Sequence, residues 1–192
     1  MQAGEIIHLL QHLWIYSLEV CGCNLRIVVG PQNGAPRILG LNERIALDAT
    51  LIGAGTVLNA QQVKDVHAAG GRLVVAPNFN PAVVAQALAL NMVVLPGVAT
   101  PTEAFAALDA GAHGLKLFPA EMISPATVKA LRAVLPKDAA LMPVGGITPD
   151  NMAAYRTAGA SGFGLGSALY APGRSAEQVQ SAAQNFVNAF RG

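Results

Sequence analysis

The chain has 192 residues, 53% of them hydrophobic and only 12% charged, with a formal net charge of +1. That length suits one domain with a substantial core, and a charged share below the usual ~25% implies that part of the surface is covered by further copies of the chain. A near-neutral chain without a basic tract or interleaved aromatics offers nothing to nucleic acid. The apolar stretch 6–20 is interrupted by His8, Gln11, His12 and Glu19 and preceded by Glu5 without Lys or Arg, so it reads as neither a membrane span nor a signal peptide.

Residues 1–50 are unlike the rest of the chain. They hold the only Trp, both cysteines and half of the histidines, and 30–40 (GPQNGAPRILG) has no clear periodicity. A helix over 5–20 and a strand over 25–29 are the readings their patterns allow. Cys21 and Cys23 stand too close for an ordinary disulfide and lack the second pair of a zinc site, which makes them reduced cytoplasmic thiols. His8 and His12 have the spacing of two ligands on a helix, but no third is evident, so no metal is expected.

From Leu51 onward, strand-like runs alternate with alanine-rich helical patterns. The runs are 51–57 (LIGAGTV), 73–78 (LVVAPN), 93–100 (VVLPGVAT), 114–119 (GLKLFP), 141–147 (LMPVGGI) and 162–167 (GFGLGS). Asn80-Pro81, Ser124-Pro125 and Thr148-Pro149 each pair a capping residue with proline at the first helical position, and Gly70, Gly111 and Gly159 end helices ahead of the next strand. Doubly buried strands separated by single helices mean a parallel sheet with right-handed crossovers. Six clear units over 51–192, with room for two more in 1–50, point to an α/β TIM (β/α)8 barrel whose first two βα units are atypical or incomplete. A doubly wound open sheet is the alternative, but no GxGxxG follows a first strand.

The residue around which the chemistry turns is Lys116. Of the four lysines only this one lies inside a hydrophobic strand, the others being Lys64, Lys129 and Lys137. A buried ammonium either finds a fixed counter-charge or releases its proton easily, and a neutral amine in a dry pocket attacks a ketone to form a Schiff base. Snorkelling to a carboxylate at the strand end is the competing reading.

In a barrel the residues closing each strand converge at the carboxyl end. They are Gly55 and Thr56, Pro77 and Asn78, 96–100, Lys116 with Phe118 and Pro119, Gly145 and Gly146, and Gly166 with Ser167. The last two glycine clusters fall where barrels commonly hold a phosphate, with backbone N–H groups free to approach the anion; tight bends at a crowded mouth would read the same way. Thr56 could orient a carboxylate or cap the next helix. Phe118 and Pro119 could wall the amine from water or serve as ordinary core and turn residues.

GAGTVL, VAPN, PGVATPTEA, GLKLFPAE, PVGGITPDN and GLGSALY, in this order, resemble the class I 2-keto-3-deoxy-6-phospho-sugar-acid aldolase family. The resemblance runs from about Leu51 to the C-terminus, and Val144, where gluconate-type members usually carry threonine, favours the galactonate type. It implies a homotrimeric barrel that cleaves a phosphorylated keto sugar acid to pyruvate and D-glyceraldehyde 3-phosphate. Lys116 would form the Schiff base. Gly55 and Thr56 would hold the pyruvate carboxylate, Pro77 and Phe118 would line the pocket, and Gly145, Gly146, Gly166 and Ser167 would hold the phosphate. No cofactor or metal is implied, because the protonated imine is the electron sink.

The family also carries an arginine-glycine ending the first strand and a glutamate in an EIPL-like run on the second, the general acid–base group. Neither occurs here. Glu19 in SLEV is the nearest imitation, but it stands too far ahead of GAGT and lacks the proline; Arg26 and Arg37 have no matching context. Residues 1–50 therefore look like sequence foreign to the family, as a shifted reading frame or a replaced start would produce. Three readings follow: a working aldolase or one weakened by the missing glutamate; an inactive relative acting only as an oligomer subunit; or another phosphate-binding barrel, an isomerase or synthase, with Lys116 incidental.

Overall fold

The computed structural model describes residues 14–20, 23–30, 50–171 and 173–191. The histidine pair His8 and His12, Cys21, Arg37 and the stretch 31–40 lie outside the described residues. The described elements run β1 (Trp14–Val20), β2 (Cys23–Gly30), β3 (Thr50–Ala54), α1 (Ala60–Ala68), β4 (Leu73–Val75), α2 (Pro81–Ala89), β5 (Val93–Leu95), β6 (Gly97–Val98), α3 (Pro101–Asp109), β7 (Leu115–Leu117), α4 (Pro125–Val134), β8 (Leu141–Pro143), α5 (Pro149–Thr157), β9 (Gly162–Leu165) and α6 (Ala176–Arg191).

A six-stranded sheet has the order β5-β4-β3-β2-β1-β9 and a three-stranded one β6-β7-β8. They meet twice. Pro96 alone separates β5 from β6, because it offers no N–H to the ladder, and on the other side a parallel bridge joins Val144 to Gly164 while Ser161 N–H donates to Leu141 O at 2.8 Å. From β2 through β8 neighbouring strands pair in parallel.

The N-terminal strands depart from the expected pattern. Trp14–Val20 is a strand, so the helix expected over 5–20 does not form in that part, whereas the strand expected over 25–29 lies within β2. β1 pairs antiparallel with β2, Trp14 opposite Val29 and Val20 opposite Cys23, and antiparallel with β9. Two residues separate β1 from β2, enough to reverse the chain but far too few for a parallel crossover. β-Formers such as Trp14, Ile15, Tyr16 and Val20 suit the paired strand better than a helix.

The six strand–helix units beyond residue 50 follow the sequence punctuation. Ser124 Oγ accepts from Thr127 N–H at 3.2 Å, Asn80 Oδ1 accepts from Ala82 N–H at 3.0 Å, and Thr148 N–H donates to Asn151 Oδ1 at 3.1 Å. Gly70, Gly111 and Gly159 carry φ of 90°, 90° and 103°, the left-handed conformation that ends a helix cheaply. The strands are shorter than expected because their tails, glycine-bearing after β3, β8 and β9 and proline-bearing after β4, β5 and β7, leave the ladder as loops.

Burial sorts strand residues by alternation. Val74 and Val94 pack with Val63, Val66, Val83 and Ala87 of the helical layer, and Leu115, Leu117 and Leu141 pack with Ala104, Ala107, Val128 and Leu131. Leu73, Val75, Leu95, Ala140, Met142 and Val144 form a separate cluster on the opposite, inner face. Gly97 permits the close approach on that side: a Cβ there would lie 2.2 Å from Pro77 O.

Candidate active site

Lys116 sits between Leu115 and Leu117 in β7, opposite Gly97 on one side and Met142 on the other. Both leucines face the helices. The two-residue repeat of a strand therefore sends the lysine to the inner face, among Leu73, Val75, Leu95, Met142 and Val144. It is 6% exposed and is the one buried polar or charged residue among those described. Burial lowers its pKa from 10.5 to about 8, as the ammonium loses hydration. At neutral to mildly alkaline pH roughly a tenth to a half of such an amine is uncharged, against about one part in a thousand for an ordinary lysine.

Nζ lies 4.2 Å from the Phe118 ring centroid, a cation–π contact for the charged form. Strand bonds hold the backbone on both sides: Lys116 N–H donates to Pro96 O at 2.9 Å and Phe118 N–H to Val98 O at 3.1 Å. After the cis Phe118–Pro119 bond, Ala120 N–H donates to Val144 O at 2.9 Å, and the buried Tyr155 hydroxyl donates to Ala120 O and Ile123 O at 3.1 and 3.0 Å. These contacts fix the turn that follows the lysine.

The other expected site residues stand at the carboxyl ends of the parallel strands. Gly55 and Thr56 follow β3, with Thr56 exposed at a left-handed φ of 55°, and Pro77 follows the neighbouring β4. Gly145 and Gly146 follow β8 with φ of 108° and 61°, and Gly166 and Ser167 follow the adjacent β9. The bonds among the described residues leave the N–H groups of Gly145 and Gly146 without an acceptor, while Asn151 Nδ2 fastens the loop through Gly146 O at 2.8 Å. Backbone donors without a protein acceptor are what a bound anion requires.

Glu19, the sequence's nearest imitation of the family glutamate, is elsewhere. It pairs with Asn24 near the start of β2, at the amino end of the parallel strands and the far end from these loops. Sequence reasoning also passed over Glu121 in the FPAE run, whose carboxylate lies against Gly145; its signal was a lone acid two residues beyond a pocket proline.

The sequence model of the KDPG and KHG aldolase family matches residues 32–184. The chain belongs to that family. This aldolase is 49% identical over 144 residues to the 2-dehydro-3-deoxy-6-phosphogalactonate aldolase of Escherichia coli (strain K12), covering 75% of this chain and 70% of the relative. It is 51% identical over 140 residues to a probable 2-dehydro-3-deoxy-6-phosphogalactonate aldolase of Rhizobium meliloti (strain 1021), covering 73% of this chain and 66% of the relative. A solved structure of native KDPGal superposes with a TM-score of 0.75 at 46% identity, covering 82% of this aldolase and 74% of that chain. The KDPG aldolase of Legionella pneumophila, solved with pyruvate captured as a covalent carbinolamine, is 26% identical with a TM-score of 0.65, covering 78% and 72%.

Proposed function

We propose that the protein is a class I aldolase that cleaves 2-dehydro-3-deoxy-6-phosphogalactonate to pyruvate and D-glyceraldehyde 3-phosphate through a Schiff base on Lys116. The observation that carries this reading is the placement of one desolvated amine on an otherwise apolar inner face, in the strand beside the one whose Gly145-Gly146 loop has two N–H groups without an acceptor among the described residues. Likeness to two galactonate-type aldolases supports the substrate.

The neutral amine adds to the C2 ketone and water leaves, giving an iminium. Removal of the C4 hydroxyl proton then lets the C3–C4 electron pair flow into that iminium, releasing the aldehyde and leaving an enamine. Protonation at C3 and hydrolysis return pyruvate and the free lysine. The low-dielectric surroundings strengthen the electron-withdrawing effect of the iminium, and the alkyl wall excludes water from the enamine. Gly55 and Thr56 hold the pyruvate carboxylate, Pro77 and Phe118 line the pocket, and Gly145, Gly146, Gly166 and Ser167 hold the phosphate.

The architecture behind this reading is a closed eight-stranded barrel, with β5 and β6 as one strand and the β1–β2 hairpin, in the segment 1–50, in place of the first two βα units of the 51–192 barrel. The Pro96 junction and the Val144–Gly164 bridge support closure. A cytoplasmic homotrimer is the assembly we infer, since the charged share is low and a protein cage designed by fusing symmetric oligomeric domains superposes on this chain with a TM-score of 0.75. Sedimentation measures the assembly directly.

Borohydride trapping with pyruvate tests the chemistry. A reduced adduct on Lys116, absent from Lys116→Ala, is the expected result. A correctly folded protein that gives no adduct, or one on another lysine, refutes it.

A further inference from the structure

Glu121 stands on the turn between Lys116 and α4, and its carboxylate occupies the space above the glycine loop. A Cβ built on Gly145 would lie 2.3 Å from its Oε2 and 3.1 Å from its Oε1, and one on Gly146 would lie 3.4 Å from Oε1. The carboxylate therefore fills the space on the Cβ side of two residues whose N–H groups have no acceptor among the described residues. Nothing there holds it: the side chain is exposed and makes no hydrogen bond or ion pair with any described residue. Its charge is nonetheless felt nearby, since after burial it is the second influence raising the pKa of the Tyr155 hydroxyl.

We propose that Glu121 is a built-in competitor for the anion cradle: its carboxylate rests over Gly145 and Gly146 when the cradle is empty, swings into solvent when a substrate phosphate enters, and returns to help expel the phosphorylated product. This inference rests on the reading of the glycine loop as the phosphate site. A phosphate dianion and a carboxylate cannot share so small a volume, and a like charge about 4 Å away weakens binding by roughly five- to tenfold even when it is screened as in bulk water, as this exposed side chain is. Because the acid is tethered by a flexible exposed side chain, displacement costs little beyond that repulsion. The cradle is thus tuned to let its anion go.

The experiment compares wild type with Glu121→Gln, which keeps shape and removes charge at an exposed position. Calorimetric titration with inorganic phosphate gives one constant. The half-saturating concentrations for borohydride trapping with pyruvate and with the phosphorylated keto sugar acid give two more, and none requires turnover. The proposal expects Glu121→Gln to tighten inorganic phosphate and the phosphorylated acid by the same factor, about five- to tenfold, and to leave pyruvate unchanged. Unchanged or weaker phosphate binding in the variant overturns the proposal while the phosphate site itself stands. Failure of wild type to bind phosphate, together with equal half-saturation by pyruvate and the phosphorylated acid, overturns both. Tightening of all three ligands alike would show a change in pocket shape and likewise overturn it.

Discussion

On the proposed mechanism, replacing Lys116 by methionine removes the Schiff-base amine and abolishes activity and trapping, but the same change is expected to make the protein more stable at neutral pH. The lowering of the lysine pKa from 10.5 to about 8 means that charging this amine is roughly 3 kcal/mol harder in the folded protein than in the unfolded chain. The folded state thus binds fewer protons between these values. Below pH 8 both states are charged and the whole penalty opposes folding; it shrinks as pH rises from about 8 and is gone above 10.5. Methionine has similar length and pays none of it, and the site is lined by Leu73, Val75, Leu95, Met142 and Val144. Urea denaturation of both proteins at pH 7 should therefore give Lys116→Met an advantage of about 1–3 kcal/mol, the lower end reflecting loss of the Phe118 contact. That advantage should shrink steadily as the titration is repeated toward pH 10.5. A variant no more stable at pH 7, or with a gain independent of pH, would show that the amine is solvated and refute the basis of its reactivity.

The trapping rate with pyruvate should rise with pH and bend near pH 8, the value to which burial lowers Lys116, and a bend near 10.5 would contradict the desolvated site. Gly97→Ala should cost about 2–3 kcal/mol or prevent folding, read by thermal melting, because its Cβ would meet Pro77 O at 2.2 Å and Pro77 C at 2.3 Å. Thr100→Ala should cost about 1 kcal/mol, because Thr100 and Glu103 form a reciprocal cap at the start of α3. The Glu103 carboxylate is held below its usual pKa chiefly by the Ala99 N–H, so wild-type stability should also fall with pH below 4.5, as that carboxylate takes up its proton; a flat acid profile in denaturant titrations would refute this. Turnover of the phosphorylated acid, followed by glyceraldehyde 3-phosphate release, should run about a hundredfold below a relative that carries the general acid–base glutamate; an equal rate would show that another group moves the proton.

Much of the site was legible because strand ends and chemistry coincide in this sequence. Lys116 could be singled out without coordinates, since it is the one lysine of four inside an apolar strand-like run, and the burial of its side chain answers the competing snorkelling reading. The Gly145-Gly146 pair likewise announced a loop beyond β8, and both residues take the left-handed φ that glycine permits. Glu121 was not legible: it lies in a turn, and only the packing of that turn over β8 shows that it covers Gly145. The hairpin was missed for the opposite reason, as the run ahead of Cys21 satisfies a helical pattern nearly as well as a strand. Pairing with β2 and β9 settles the matter, and such pairing leaves no local mark.

Local chemistry written along the chain was sufficient for the strand–helix alternation beyond residue 50, the caps at Asn80 and Ser124, the glycine stops and the one lysine carried by an apolar strand. These depend on neighbours within a few residues, where dihedral preference and short hydrogen bonds dominate. What the three-dimensional packing alone decided was which face of β7 carries the amine's surroundings, the reversed direction of β1, the remoteness of Glu19 and the nearness of Glu121 to the glycine loop. Each depends on side chains or strands far apart in sequence, and a desolvation penalty exists only once the whole apolar wall has assembled around the charge.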